Sequence, residues 1–183
     1  AAHMVNQLLS MARAEDSEMA RRSTEFNLAA LATETVRDFV PRAIEAGIDL
    51  GYEGPEPKDA HTALRLRGQP VLVRELIRNI VDNALQYTPR GGTVTLRLLA
   101  DPFGQVAVLQ VEDNGPGIPE SERELVFQPF YRALGTEVDG SGLGLAIVRE
   151  IAERHGGSVS IDSAQPRAQA PGTLVTVRLP VKT

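Results

Sequence analysis

The run from residue 70 to 88 restricts the possible folds more than any other stretch. Leu72, Leu76, Ile77, Ile80, Val81, Ala84 and Leu85 cover all but one side of a helix that opens on Pro70 and stops at Thr88-Pro89. A helix this apolar must be gripped by core on more than one side. Along its remaining face Glu75, Asn79, Asn83 and Tyr87 recur four apart, with Asp82 and Gln86 beside them. Carboxamides set against a core cost free energy unless something satisfies them. Two readings fit that face. It is a solvated stripe, or it is a Mg²⁺ site, because amide oxygens are hard ligands and Mg²⁺ completes its shell with water and phosphate.

Around this helix the periodicity predicts a mixed architecture. Residues 1–22 carry Met4, Leu8, Met11, Ala12 and Met19 at near-helical spacing, an amphipathic stripe with no partner inside so short a segment. A helix is predicted to begin at Asn27, a good N-cap, and to run to Gly47, with Pro41 kinking or dividing it. Strands are expected over 47–53 and 61–66 with a turn between them, then over 93–99 and 106–112 as a hairpin, and over 158–161 and 173–179 at the end. A further helix, 143–155, closes on Gly156-Gly157. The expected fold is α+β: a two-layer sandwich with a mixed sheet of about five strands, covered on one face by three helices, plus an N-terminal helix.

Composition removes several classes of function. The net charge of −5 argues against general nucleic-acid binding. With no cysteine there is neither a disulfide framework nor a thiolate metal site, which fits a cytosolic setting. The three histidines, His3, His61 and His155, are too scattered to suggest zinc. The sequence has no apolar run long enough for a membrane span and no signal-peptide pattern at its start. Its only lysines, Lys58 and Lys182, stand in no Gly-x-x-x-x-Gly-Lys pattern. A nucleotide would have to be bound by another route than a P-loop.

Two glycine segments carry chemistry. Asp113-Asn114-Gly115-Pro116-Gly117 follows an apolar strand. It reads as a turn, or as a carboxylate placed to accept from an amino group such as adenine's, with glycines allowing close backbone approach. Gly140-Ser141-Gly142-Leu143-Gly144-Leu145 opens a helix, where free N–H groups and the helix dipole suit phosphate. A dinucleotide fingerprint does not fit, since its third glycine would fall at Leu145 and no strand leads into the turn. Between them Phe127, Phe130 and Tyr131 cluster ahead of a polar stretch, as a corner of the core or as the anchor of a lid.

Taken in order, these segments resemble the catalytic, ATP-binding domain of sensor histidine kinases. That domain belongs to the superfamily that also includes gyrase, the mismatch-repair ATPases and a class of heat-shock chaperone. Residues 79–84 resemble its N box, 113–117 its G1 box, 127–131 its F box and 140–145 its G2 box; the likeness spans about 27–180. It implies the Bergerat-type ATP-binding fold, with ATP and Mg²⁺ bound. Asn79 and Asn83 would ligate or orient the metal, with Asn79 and Arg132 as catalytic residues, Arg132 reaching the γ-phosphate. Asp113 would take the adenine amino group, and Tyr87 would flank the base. Gly115 and Gly117 would let base and lid approach. Gly140, Gly142, Leu143 and Gly144 would line the phosphates, and 132–139 would form the lid. Gln86 departs from the lysine many relatives carry there, so nucleotide binding would be weaker, or Arg90 would help. Asn79 stands where gyrase-like relatives have a glutamate base, which favours a kinase over a dedicated ATPase.

The resemblance divides the chain into 1–24, the C-terminal part of the second dimerisation and phosphotransfer helix, and 27–183, the catalytic domain. None of the three histidines has the phosphoacceptor pattern, an adjacent acid with a proline about a turn beyond. The implied function is transfer of the γ-phosphoryl group of Mg·ATP to a histidine on a helix hairpin of the same or a sister subunit, for relay to a response regulator receiver domain. The setting implied is the cytoplasmic part of an inner-membrane homodimer. An ATPase or serine-directed kinase of the same superfamily, and a non-catalytic nucleotide-sensing module, are the alternatives.

Overall fold

The computed structural model describes residues 23–59, 64–101, 103, 105–129 and 144–181. The expected helix over 1–22 and the stretch 130–143 lie outside the described residues.

Strand β1 (Thr24–Asn27) runs directly into helix α1 (Leu28–Ala46). As expected, Asn27 is the N-cap: its side-chain oxygen accepts from the N–H groups of Ala29 and Ala30 at 2.9 and 3.3 Å. Its Nδ2 also donates to the Pro57 carbonyl at 2.9 Å, tying the helix start to the turn at Pro57–Asp59. Asn27→Ala is therefore expected to cost about 1–2 kcal/mol in a denaturant melt, and Asn27→Asp, which keeps the cap and loses the Pro57 bond, less. Pro41 does not divide α1, which continues to Ala46 and ends at the left-handed Gly47. Both Pro41 and Arg37, whose carbonyl loses its donor, are exposed, so solvent can satisfy the freed group.

The second departure concerns the strands after α1. Strand β2 (Asp49–Glu53) lies where expected, but β3 is Arg65–Gly68 rather than 61–66, and 61–63 lie outside the described residues. The two do not pair with each other. β3 pairs antiparallel with β1, bringing buried Phe26 opposite buried Leu66. Helix α2 (Pro70–Tyr87), strands β4 (Thr93–Asp101) and β5 (Val106–Asp113), helix α3 (Gly144–Arg154), and strands β6 (Ser158–Asp162) and β7 (Thr173–Pro180) follow close to the predicted bounds.

The main sheet has five strands in the order β2-β4-β5-β7-β6, with β2 parallel to β4 and the other pairs antiparallel. Alternation decides its faces. Val94, Leu96 and Leu98 of β4, Leu109 of β5 and Leu179 of β7 are fully buried, as are Leu76, Ile77, Ile80 and Val81 of α2. The opposite face is polar: Arg97 bonds Glu53 at 2.9 Å and Glu112 at 3.4 Å, and Arg178 bonds Asp101 at 3.0 Å. This is the expected two-layer sandwich, and it sets α2 centrally over the sheet with α3 on one side and α1 on the other.

A buried histidine ties α3 to the far end of α2. The Gln69 N–H, at the N-cap of α2, donates to His155 Nε2 at 3.1 Å. Nδ1 therefore carries the ring proton and donates to the Ile151 carbonyl at 2.9 Å.

Candidate functional site

The wet face of α2 forms one wall of the candidate site. Asn79, Asn83 and Tyr87 are half-buried, and Glu75 is exposed. Asn79 donates from Nδ2 to the Glu75 carbonyl at 2.7 Å. That bond orients its amide, and Oδ1 then faces the first residue of α3: a Cβ built on Gly144 would lie 3.5 Å from it. The N box and the last glycine of the G2 box, 65 positions apart in sequence, thus meet at the N-terminus of α3.

The last turn of α2 lies against the turn that follows β5. Asp113 is buried, and its Oδ1 accepts the N–H groups of Gly115 at 2.9 Å and Thr173 at 3.2 Å. Burial raises its pKa, against the lowering by those two backbone donors, with Glu112 adding a further rise. Oδ2 takes part in none of these bonds and is not among the buried atoms that lack a partner. It remains a reachable acceptor. Gly115 is required by proximity: a Cβ there would lie 2.8 Å from the Tyr87 carbonyl, at the last turn of α2. Gly172, in the left-handed region at φ 69°, closes the other side, where a Cβ would collide with the Asp113 carbonyl. Gly117 sits beside it, against Pro171 and Gly172.

Sequence reasoning did not single out Thr88, Gly172, Thr173 or Arg42. Thr88 is buried beside Gly115 with no partner for its hydroxyl, and Thr173 braces Asp113 through a backbone N–H. A backbone donor leaves no side-chain signature, so no pattern could have found the second. Gln86 donates to Asp82 at 3.1 Å, and Asp82 is paired with Arg42 of α1. Arg90 lies against Gly47 and donates to the Glu45 carbonyl at 3.3 Å. Phe127 is a corner of the core: it is buried, and the Arg149 guanidinium of α3 lies 3.9 Å from its ring centroid. Arg149 also pairs with Glu124 at 2.7 Å, holding that exposed carboxyl below its usual range. Phe130, Tyr131, Arg132, Gly140, Gly142 and Leu143 lie outside the described residues.

The donor set suits a hard cation that arrives with its own ligands. Among the described residues no three His, Cys, Asp or Glu side chains gather as a metal cage. Between Glu75 and Tyr87 the α2 face offers the two amide oxygens of Asn79 and Asn83, which fits a cation bound chiefly by phosphate and water.

A family model described as histidine kinase-, DNA gyrase B- and HSP90-like ATPase matches residues 68–183. Sensor protein QseC of Salmonella typhi is 38% identical over 164 residues, covering 90% of this chain and 34% of that protein. The chain thus spans about a third of that relative's length. Among solved structures, the mycobacterial sensor histidine kinase MprB superposes with a TM-score of 0.72 at 32% identity, over 86% of this chain and 97% of that one. The histidine kinase ThkA, solved in complex with response regulator protein TrrA, matches at 25% identity and TM-score 0.68, over 87% of this chain and 42% of that one. No described helix is long and apolar enough to cross a membrane.

Proposed function

The chain belongs to the histidine kinase-, DNA gyrase B- and HSP90-like ATPase family, on its histidine-kinase side, and from that premise we propose that it binds Mg·ATP and phosphorylates a histidine. One observation supports the reading: along α2, Asn79 lies against Gly144 at the N-terminus of α3, and the Tyr87 carbonyl lies against Gly115 beside the buried Asp113, so the helix frames one site between them. In it Asp113 Oδ2 accepts the adenine amino group, with Gly115 giving the base its close approach and Tyr87 flanking it. Asn79 and Asn83 would hold the metal through their amide oxygens. Gly144 brings the positive end of α3 against the phosphates, with Gly140, Gly142 and Leu143 preceding it.

Bound Mg²⁺ supplies charge neutralisation on the phosphates. The protein's own contribution is position. The crevice orients the γ-phosphorus so that a histidine imidazole on a helix hairpin attacks in line. A nitrogen–phosphorus bond forms while the bond to the β-phosphate oxygen breaks, and ADP leaves. Arg132 meets the charge developing on the transferred group. On the same proposal 1–24 belong to the dimerisation and phosphotransfer unit, although Thr24 already opens β1, and 27–183 to the catalytic domain. The full protein is a membrane-bound homodimer whose cytoplasmic part hands the phosphoryl group to a response regulator, as the ThkA complex with TrrA suggests by analogy.

The test is transfer in trans. Incubated with γ-labelled Mg·ATP and a separate histidine-bearing hairpin from a relative, the chain is expected to label the hairpin with an acid-labile, base-stable phosphate. Acid-stable label would indicate a hydroxyl-directed kinase, and release of inorganic phosphate alone an ATPase; either overturns the proposal.

A further inference from the structure

Three ion pairs cross from α1 to α2 at a constant offset of 40 residues: Glu34 with Arg74 at 3.1 Å, Asp38 with Arg78 at 3.3 Å, and Arg42 with Asp82. In the first two the acid is on α1. The third reverses sign, and it is the pair next to the amide face. At about 100° per residue Asp82 lies about 60° around the helix from Asn79, and it directly precedes Asn83. Its two oxygens are taken separately, Oδ1 by Arg42 and Oδ2 by Gln86 Nε2 at 3.1 Å. Arg42 is itself steadied by the Phe39 ring, 5.8 Å from its centroid.

We infer that Asp82 is a charge-controlled positioning residue for nucleotide binding: Arg42 and Gln86 hold its carboxylate toward α1, so Asp82 adds no free negative charge to the amide face, where exposed Glu75 already carries one. The inference rests on the reading of Asn79 and Asn83 as the Mg·ATP face. Arg42 and Asp82 are 41% and 37% exposed, so their pair adds little to stability, and the consequence falls on the ligand instead. A released carboxylate within a helical turn of a polyphosphate repels it across a distance comparable to the screening length. Gln86 belongs to the same arrangement. Its neutral amide satisfies the second oxygen without adding charge, where a lysine would add one.

The experiment is calorimetric titration of the whole chain with a Mg²⁺-bound unhydrolysable ATP analogue, at low and high salt. R42M is expected to weaken binding roughly three- to tenfold at low salt, with the gap narrowing at high salt. Adding D82N to R42M is expected to restore affinity to within about twofold of wild type, since the two sites act through one charge. Wild-type affinity in R42M overturns the inference. So does a double variant as weak as R42M, because a lost strut or a lost direct cation would not be rescued by removing Asp82. Asn83→Ala keeps the two ideas apart. Unchanged binding there overturns the ATP-face reading itself, whereas lost binding there beside an unaffected R42M overturns only the role of Asp82.

Discussion

Replacing Asn83 with alanine is expected to weaken Mg²⁺-dependent ATP binding by at least about 100-fold, the upper end of what even outer-shell partners of a metal contribute. The fold gives no reason for the variant to unfold. Asn83 is half-buried in the interior of α2, and alanine is the better helix former there by about half a kcal/mol. A melting temperature equal to or above wild type, together with a flat titration, is therefore the expected pair of results. An Asn83→Asp variant separates chemistry from shape: it keeps an oxygen in place but adds a negative charge near Asp82, so it should recover metal binding without recovering ATP affinity. Undiminished Mg²⁺-dependent binding in Asn83→Ala would remove this residue from the site.

The second large effect is on the choice of base. In Asp113→Asn the Oδ1 that accepts from Gly115 and Thr173 is retained, while the outward Oδ2 becomes an N–H donor. The adenine amino group, itself a donor, then faces a second donor. Losing a charge-assisted bond and gaining that opposition should cost about 1.5–3 kcal/mol, roughly ten- to a hundredfold in ATP affinity. Stability should move the other way. Burial raises the Asp113 pKa, so the folded state holds this proton more tightly than the unfolded chain. Stability is then lost as pH rises from the unfolded value through the folded one, and the loss is complete above it. The variant escapes that penalty. Its melting temperature relative to wild type should climb from acid toward neutral pH, while its preference for ATP over GTP collapses. A variant that melts lower at neutral pH and keeps its base preference would make Asp113 a structural turn residue and nothing more.

Much of this was legible because it is local. Asn27 is an N-cap by its own side chain, and α2 shows its core by one helical period. The β4–β5 hairpin is written in two alternating runs around a turn. Features made by distant partners were not legible. β1 is only four residues long and merges into α1, so nothing short of its pairing with β3 distinguishes it from a loop. β3 was misplaced for the same reason, because its register is fixed by Phe26 against Leu66. Pro41 carries a strong local signal for a break, and that signal was overruled because its position on α1 faces solvent.

The sequence by itself determined the elements and the chemistry available: an amide stripe at helical spacing, a carboxylate closing a strand, glycines where backbones approach, and no phosphate-binding lysine. Tertiary structure alone decided which of those groups meet and which are neutralised. Asn79 faces Gly144, the end of α2 closes on Gly115, and Arg42 reaches across 40 residues to Asp82. The reason is physical. Periodicity and capping act within a few residues, whereas burial and charge pairing depend on distances that exist only once α1, α2 and α3 lie on the same sheet.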